Sequence, residues 1–201
     1  MITLTRVQFE LACKHFIEQG VSLGNNVWQW QETKHSFMKV GYLEYRKTQV
    51  ITEFTTSEET IELSEIELEE NDSSRFDIGE NGKILWNLEY HIVYSPTYEV
   101  PEIYVRGWSD EGSYLSDSQI LQLTSAHLRD DIQKVKYGGG LTCMEHPILR
   151  TPFYRLHPCE TASVLKEVIG EKELSLTSYI PTYINLIGPS VGLSLSLEYF
   201  V

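Results

Sequence analysis

The sequence predicts an α+β fold, because helical and strand-like patterns occupy separate parts of the chain and do not alternate. A helical pattern opens the chain, alternating apolar and polar residues fill its middle, and helical patterns return near its end. With 201 residues, 41% of them hydrophobic, the chain can bury one sizeable core. We therefore expect a single domain over residues 1–201.

The first element is predicted to be a helix that begins near Thr5. Thr5 and Gln8 have the spacing of a capping box, in which two side chains satisfy free backbone N–H groups at the start of a helix. Apolar residues then recur at helical spacing as far as Gly20, on a stripe that includes Cys13. Cys13 is therefore predicted to be a buried packing thiol.

The middle of the chain has strand patterns. Residues 28–30 and 37–46 are predicted to pair, and residues 84–94 form the clearest strand. Because side chains alternate between the two faces of a strand, Glu89 and His91 fall together on the polar face. On that face, His91 is predicted to be an exposed cross-strand partner.

The later elements are shorter and more densely punctuated by glycine and proline. The glycine run at 138–140 lacks the preceding strand and following lysine of a phosphate-binding loop, so we expect a flexible turn. Pro181 and Gly188-Pro189 interrupt the final apolar segment at 179–197, which predicts a short helix and a packed tail. The other expected elements are a strand at 103–108, a helix at about 116–128, a strand-like run at 153–156 and a helix at 161–169.

The charge of the chain argues against one class of function. Its formal net charge is -13, whereas binding to a nucleic-acid backbone requires a basic surface. Residues 53–80 hold eleven acidic residues and one basic residue, Arg75. We expect an acidic, partly mobile insert there, serving either as a solvated loop or as a docking patch for a basic partner.

The composition also indicates a compartment. The chain has no run of eighteen apolar residues, and its N-terminus lacks the apolar region of a secretory signal, so we expect no membrane segment. The three cysteines, Cys13, Cys143 and Cys159, do not have the spacing of a disulfide framework. This pattern favours the reducing cytoplasm.

Cys159 is the candidate functional cysteine, because it lies between the strand-like run and the helix at 161–169. The start of a helix presents free N–H groups and a partial positive charge, which stabilise a thiolate. His157 lies two residues earlier, within reach of the same sulfur, and Pro158 restricts the backbone between them.

Three interpretations of Cys159 are open on these grounds: a structural thiol, a zinc ligand and a nucleophile. Zinc would be held by Cys143, His146, His157 and Cys159. However, only one residue separates His157 from Cys159, which is a shorter spacing than common structural zinc sites use. The histidines form no clear protease signature. Composition and spacing leave the nucleophile and the packed thiol unresolved.

The stretch EHPILRTPFYRLHPCET resembles the autophagy conjugating enzymes, distant relatives of ubiquitin-conjugating enzymes whose active cysteine lies in a His-Pro-Cys motif. Three further stretches support the resemblance in the expected order, namely EYHIVYSPTYEVPEIYVRGW, LSDSQILQL and YINLIGPSVGLSLSLEY. The resemblance implies a ubiquitin-conjugating-enzyme-like core, an antiparallel sheet flanked by helices. In it, Cys159 matches the thioester cysteine, and His157 and Tyr98 match positions that the family implicates in handling the acceptor lysine.

The resemblance implies a transferase that acts in autophagosome formation without a metal or cofactor at its cysteine. Its partners would be the ubiquitin-like autophagy-related protein twelve, an activating enzyme resembling autophagy-related protein seven, and the acceptor autophagy-related protein five. Two alternatives stay open. One is the lipid-conjugating sibling, which attaches a ubiquitin-like protein to phosphatidylethanolamine, and the other is a catalytically inert binding module.

Overall fold

Four α-helices and six strands make up the part of the chain that the computed structural model describes, namely residues 3–25, 27–35, 38–52, 83–124, 140–170 and 174–200. The α+β class is confirmed. The helices are α1 (Arg6–Ser22), α2 (Asp117–Leu123), α3 (Thr161–Ile169) and α4 (Leu176–Ile187). The strands are β1 (Trp28–His35), β2 (Met38–Thr52), β3 (Lys83–Ser95), β4 (Val100–Ser109), β5 (Leu141–Glu145) and β6 (Pro152–Leu156).

The six strands form one antiparallel sheet in the order β1-β2-β3-β4-β6-β5. The ladders among the first four strands are long, and β3 pairs with β4 from Trp86 to Ser95. The ladder between β4 and β6 has only two residue pairs, Tyr104 with Arg155 and Val105 with Tyr154. The β5–β6 hairpin is therefore attached to the rest of the sheet by few backbone hydrogen bonds.

The predicted capping box of α1 is present, since the Thr5 and Gln8 side chains each accept a hydrogen bond from the other residue's backbone N–H. The apolar stripe is buried, and Cys13 within it has no exposed surface, as predicted. The helix continues two residues beyond Gly20, to Ser22. It packs against α4 on one face of the sheet, so the main core lies between this face and the helices.

Pro181 lies inside α4, so the prediction that it interrupts the final apolar segment was wrong, whereas α4 ends directly before Gly188-Pro189, as predicted. A proline within a helix removes one backbone hydrogen bond and costs about 3 kcal/mol. Tyr179, Ile180, Tyr183 and Ile184 surround it in sequence, and all four are almost fully buried. The apolar area that they bury in the core outweighs this cost.

The prediction that His91 is exposed was also wrong, because His91 and Glu89 are 0% and 1% exposed. The two residues do share the face of β3 opposite the main core, as the alternation predicted. The turn of the β5–β6 hairpin covers that face, where Ile148 and Leu149 pack against a second apolar cluster of Tyr42, Val93, Tyr104 and Phe153. The sequence patterns did not predict strand β5, so they could not predict that the β5–β6 turn covers this face of β3.

The other predicted helices and strands agree with the described residues or lie outside them. Helix α2 ends at Leu123, where Thr124 takes an extended conformation. The acidic segment at 53–80 lies outside the described residues, as do residues 125–139, which contain the end of the predicted second helix and most of the glycine run. None of the helices in the described ranges is long and apolar enough to cross a membrane.

Candidate active site

Cys159 lies in a 3₁₀ turn, Pro158–Glu160, which connects the end of β6 directly to α3. Pro158 is buried, while Cys159 is partly exposed. Helix α3 is anchored in the main core by Leu165, which has no exposed surface. The cysteine is thus held on a short, constrained turn at the start of a helix, as its position in the sequence predicted.

His157 caps this turn and contacts Tyr98 on its other side. Its Nδ1 accepts a hydrogen bond from the backbone N–H of Cys159 at 3.2 Å. Its Nε2 lies 3.5 Å from the Tyr98 hydroxyl, at the long end of the hydrogen-bond range. The two rings meet edge to face, with centroids 5.4 Å apart. The structure therefore brings Tyr98, His157 and Cys159 together, although Tyr98 is far from the other two in the chain.

The proton on His157 can be located from these contacts. Nδ1 accepts a hydrogen bond, so the neutral ring carries its proton on Nε2, which donates to the Tyr98 oxygen. The Tyr98 hydroxyl then keeps its own proton for another acceptor. Both nitrogens of His157 are engaged in the structure, so the ring is oriented to position its neighbours.

Tyr98 is presented by the turn between β3 and β4, which is fixed by contacts with the start of the chain. Glu99 has φ of 55°, in the left-handed region, and its N–H donates to the Ser95 carbonyl at 2.8 Å. The Leu4 N–H donates to the Glu99 carbonyl at 2.7 Å, and the Tyr94 hydroxyl donates to the Leu4 carbonyl at 2.7 Å. These bonds hold Glu99 in a backbone conformation that glutamate rarely adopts. The side chain of Tyr98, one residue earlier, is 38% exposed and lies beside His157.

The zinc alternative does not fit the arrangement of its four proposed ligands. Cys143 is exposed on β5, whereas His146 is fully buried in the turn that follows. Both ring nitrogens of His146 are within hydrogen-bond distance of protein groups. Within the described part of the chain, a different group of potential metal ligands comes close together, namely Glu44, Glu89 and His91. In this group, Glu89 is already paired with the side chains of Arg46 and Arg106.

The three cysteines occupy different environments, and none forms a disulfide. Burial raises the pKa of the Cys13 thiol well above its ordinary value, which suits a packing role. Cys143 is exposed on an edge strand, far in sequence from a helix start. Only the turn of Cys159, among these three described positions, combines partial exposure with the start of a helix.

The fold defines a ubiquitin-conjugating-enzyme-like class of α+β protein, in which helices pack on an antiparallel sheet. A family model described as autophagocytosis associated protein, active-site domain, matches residues 8–198. The chain is 28% identical over 204 residues to the ubiquitin-like-conjugating enzyme ATG10 of Homo sapiens, covering 95% of this chain and 90% of that protein. The chain therefore belongs to this family and is a ubiquitin-like-conjugating enzyme of autophagy.

Two further relatives carry the same name. Those of Dictyostelium discoideum and Arabidopsis thaliana are 32% and 30% identical, each over 55% of this chain. The matches span 52% and 51% of those two proteins, about half of their length. The resemblance that the motifs indicated is thus confirmed at the level of the family.

Proposed function

We propose that this enzyme accepts autophagy-related protein twelve as a thioester on Cys159 and transfers it to a lysine of autophagy-related protein five. The donor would be an activating enzyme that resembles autophagy-related protein seven. The observation that carries the proposal is the arrangement of Tyr98, His157 and a partly exposed Cys159 in one continuous set of contacts. The names of the relatives support the same class of reaction.

The first step is thiol exchange at the C-terminal glycine of the ubiquitin-like protein. The Cys159 thiolate attacks the thioester carbonyl, a new C–S bond forms, and the C–S bond to the activating enzyme breaks with release of its thiolate. One thioester replaces another of similar energy, so positioning of the two thiols provides most of the catalysis. The start of α3 lies directly after the cysteine turn, so the turn and the helix together fix where the sulfur is presented.

The second step is aminolysis by the acceptor lysine. The neutral lysine nitrogen attacks the carbonyl and the C–N bond forms. The C–S bond then breaks with release of the Cys159 thiolate, which takes up the proton that the nitrogen loses. A lysine amine is mostly protonated at neutral pH, so the site must desolvate it or offer a hydrogen-bond acceptor. The Tyr98 oxygen is exposed enough to accept from the amine, while His157 holds Tyr98 in place.

The tetrahedral intermediate also needs a hydrogen-bond donor for its oxyanion. The backbone N–H of Cys159 is directed to His157 Nδ1, so it is not available in this conformation. In the contact between Tyr98 and His157, the ring N–H of His157 is the donor and the Tyr98 oxygen is the acceptor. The Tyr98 hydroxyl can therefore donate its own proton to another group. We therefore assign to Tyr98 both the placement of the amine and a donor role toward the oxyanion.

The proposal also includes the organisation and location of the enzyme. Residues 1–201 form one conjugating domain with an acidic insert at about 53–80, acting in the cytoplasm and requiring no metal or cofactor at Cys159. If the insert binds a basic partner, replacing its glutamates with glutamines should weaken that binding more at low salt than at high salt.

A charging assay tests the first step. The enzyme is mixed with activating enzyme, ATP and the ubiquitin-like protein, and a non-reducing gel should show a conjugate that disappears on addition of thiol. Cys159→Ser should give a more stable oxyester and Cys159→Ala no conjugate, whereas Cys13→Ser and Cys143→Ser should charge normally. Absence of a conjugate from the folded wild-type enzyme, with the activating enzyme charged, would favour an inert binding module.

A discharge assay tests the second step. The charged enzyme is separated from ATP and mixed with the acceptor protein, and loss of the thioester is followed with time. Tyr98→Phe and His157→Ala should charge normally and discharge slowly, by the roughly 10²–10³-fold that loss of one oxyanion donor costs. Slow charging in either variant would contradict the roles given to them. Transfer to phosphatidylethanolamine vesicles in place of the acceptor protein would favour the lipid-conjugating alternative.

A further inference from the structure

Two buried histidines, His91 and His146, take no part in the proposed chemistry, although both lie in the motif stretches. Neither side chain has exposed surface. His91 Nδ1 lies 3.2 Å from His146 Nε2, and His91 Nε2 lies 3.2 Å from a Glu89 carboxylate oxygen. His146 Nδ1 accepts from the backbone N–H groups of Ile148 and Leu149 at 3.2 and 3.1 Å. Hydrogen bonds thus run continuously from the β5–β6 turn to β3.

The proton positions along this chain follow from its contacts. Two N–H donors on Nδ1 of His146 exclude a proton there, so the neutral ring carries its proton on Nε2. That N–H donates to Nδ1 of His91, whose own proton is then on Nε2 and donates to Glu89. Every ring nitrogen has a partner in a single arrangement. A buried polar network that is fully satisfied in this way holds its members in one geometry.

Glu89 anchors the far end of the network as a carboxylate. Burial opposes its ionisation, but hydrogen bonds from His91 and Arg106 outweigh burial and lower the pKa of Glu89 to about 2. Arg46 also lies on this carboxylate, with Nη2 2.9 Å from Oε1. Glu89 therefore stays charged at neutral pH. Because a buried charge needs its partners, removing one of them strongly destabilises the folded protein.

The network joins the two elements that carry the candidate site. His146 begins the turn that leads into β6, and β6 ends directly before His157 and Cys159. His91 lies on β3, which ends directly before the turn that carries Tyr98.

Few backbone bonds hold these elements in register, because β6 pairs with β4 at only two positions. Phe153 of β6 packs against both histidines, with its ring centroid 4.8 Å from that of His91 and 4.9 Å from that of His146. The histidine bridge and this ring therefore add side-chain contacts where the ladder is short.

We propose that His146, through its bridge to His91, is a positioning residue that holds the β5–β6 hairpin where His157 meets Tyr98. The expected change in discharge rate rests on the proposed function, whereas the expected change in the position of the hairpin does not. Loss of the bridge shifts the hairpin relative to β3 and separates the groups that handle the acceptor amine. A displacement of about 1 Å in such a site costs as much as a hundredfold in rate.

His146→Asn isolates the bridge. The asparagine oxygen takes the place of Nδ1 and keeps the two backbone bonds of the turn, while the donor to His91 is lost. We expect charging within about twofold of wild type and discharge to the acceptor slower by about tenfold or more. His146→Gln places an amide near the Nε2 position, so it should restore the donor to His91 and keep discharge close to wild type.

Ile148→Ala is the matched control for a loss of stability alone. It removes apolar packing from the same turn and leaves the histidine bridge in place. It should lower the unfolding free energy while leaving the discharge rate of the folded, charged enzyme unchanged. Equal discharge rates in His146→Asn and Ile148→Ala would overturn the inference. So would additive effects of His146→Asn and Tyr98→Phe on discharge, since a positioning residue that acts through Tyr98 loses its effect once the hydroxyl is gone.

A measurement that needs no activity separates this inference from the proposed function. NMR contacts between the Tyr98 and His157 rings should be present in wild type and His146→Gln and lost in folded His146→Asn. Their persistence in His146→Asn would refute the positioning role, whether or not the enzyme charges. If His146→Asn does not fold, slow discharge or lost ring contacts in His146→Gln would equally refute it.

Discussion

Lowering the pH from 7 to 5 should destabilise the folded protein through His146. This ring is buried, and its Nδ1 faces the backbone N–H groups of Ile148 and Leu149, so a proton added there has no acceptor. Burial, with nearby positive charge acting in the same direction, lowers the pKa of His146 from 6.5 to about 3. The unfolded chain therefore binds a proton at this residue well before the folded chain does.

The size of the effect follows from this difference in pKa. Between pH 6.5 and about 3 the unfolded state alone is protonated at His146, so stability falls by about 1.4 kcal/mol for each pH unit. At pH 5 the loss is about 2 kcal/mol, a large part of the roughly 5–15 kcal/mol that stabilises a typical domain. Glu89 does not contribute at this pH, because its stabilisation is lost only as the pH falls from 4.5 toward its folded pKa of about 2.

Urea unfolding at pH 7 and pH 5, followed by tryptophan fluorescence, measures the effect. His146→Asn replaces the ring with a group that does not titrate. The variant should be less stable than wild type at pH 7, by about 1–3 kcal/mol, because His91 loses its donor. Its loss of stability between pH 7 and pH 5 should nevertheless be smaller than that of wild type by about 2 kcal/mol. The same pH dependence in both proteins would refute the assignment of His146 as a buried neutral histidine.

Three other predictions concern single positions. In the folded protein a maleimide should label exposed Cys143 rapidly and buried Cys13 only after unfolding, so equal labelling rates would contradict the packing of α1. Gly107→Ala should lower the unfolding free energy by about 1–3 kcal/mol, because a Cβ there would collide with the buried Leu115 side chain, and denaturant melts would detect it. At Glu99, glycine should be tolerated within about 1 kcal/mol, whereas valine should cost about 1–2 kcal/mol or more, because φ is positive. Equal stability of these two variants would show that the backbone relaxes.

The structural elements that depend on neighbouring residues could be predicted from the sequence. The capping box of α1, the alternation along β3 and the helix after Cys159 are local patterns, and each is present. The buried position of Cys13 followed from its place on an apolar stripe. The His-Pro-Cys stretch also indicated the family, which the comparisons confirm.

The features that depend on distant parts of the chain required the tertiary structure. Alternation placed His91 on the polar face of β3, but only the β5–β6 turn, which packs over that face, makes it buried. Pro181 breaks a local rule for helices, and burial of its neighbours in the core compensates. The contact between Tyr98 and His157 likewise depends on how β4 pairs with β6.

The amino-acid sequence thus determined the periodic elements, the position of Cys159 between a strand and a helix, and the family to which the chain belongs. The tertiary structure decided which polar groups are buried and that Tyr98 meets His157 beside Cys159. The physical reason is the distance along the chain between the residues that determine each feature. Helical and strand periods and caps are set within a few residues, whereas burial and the hydrogen bonds of Glu89, His91 and His146 depend on segments that meet only when the sheet and its hairpin pack together.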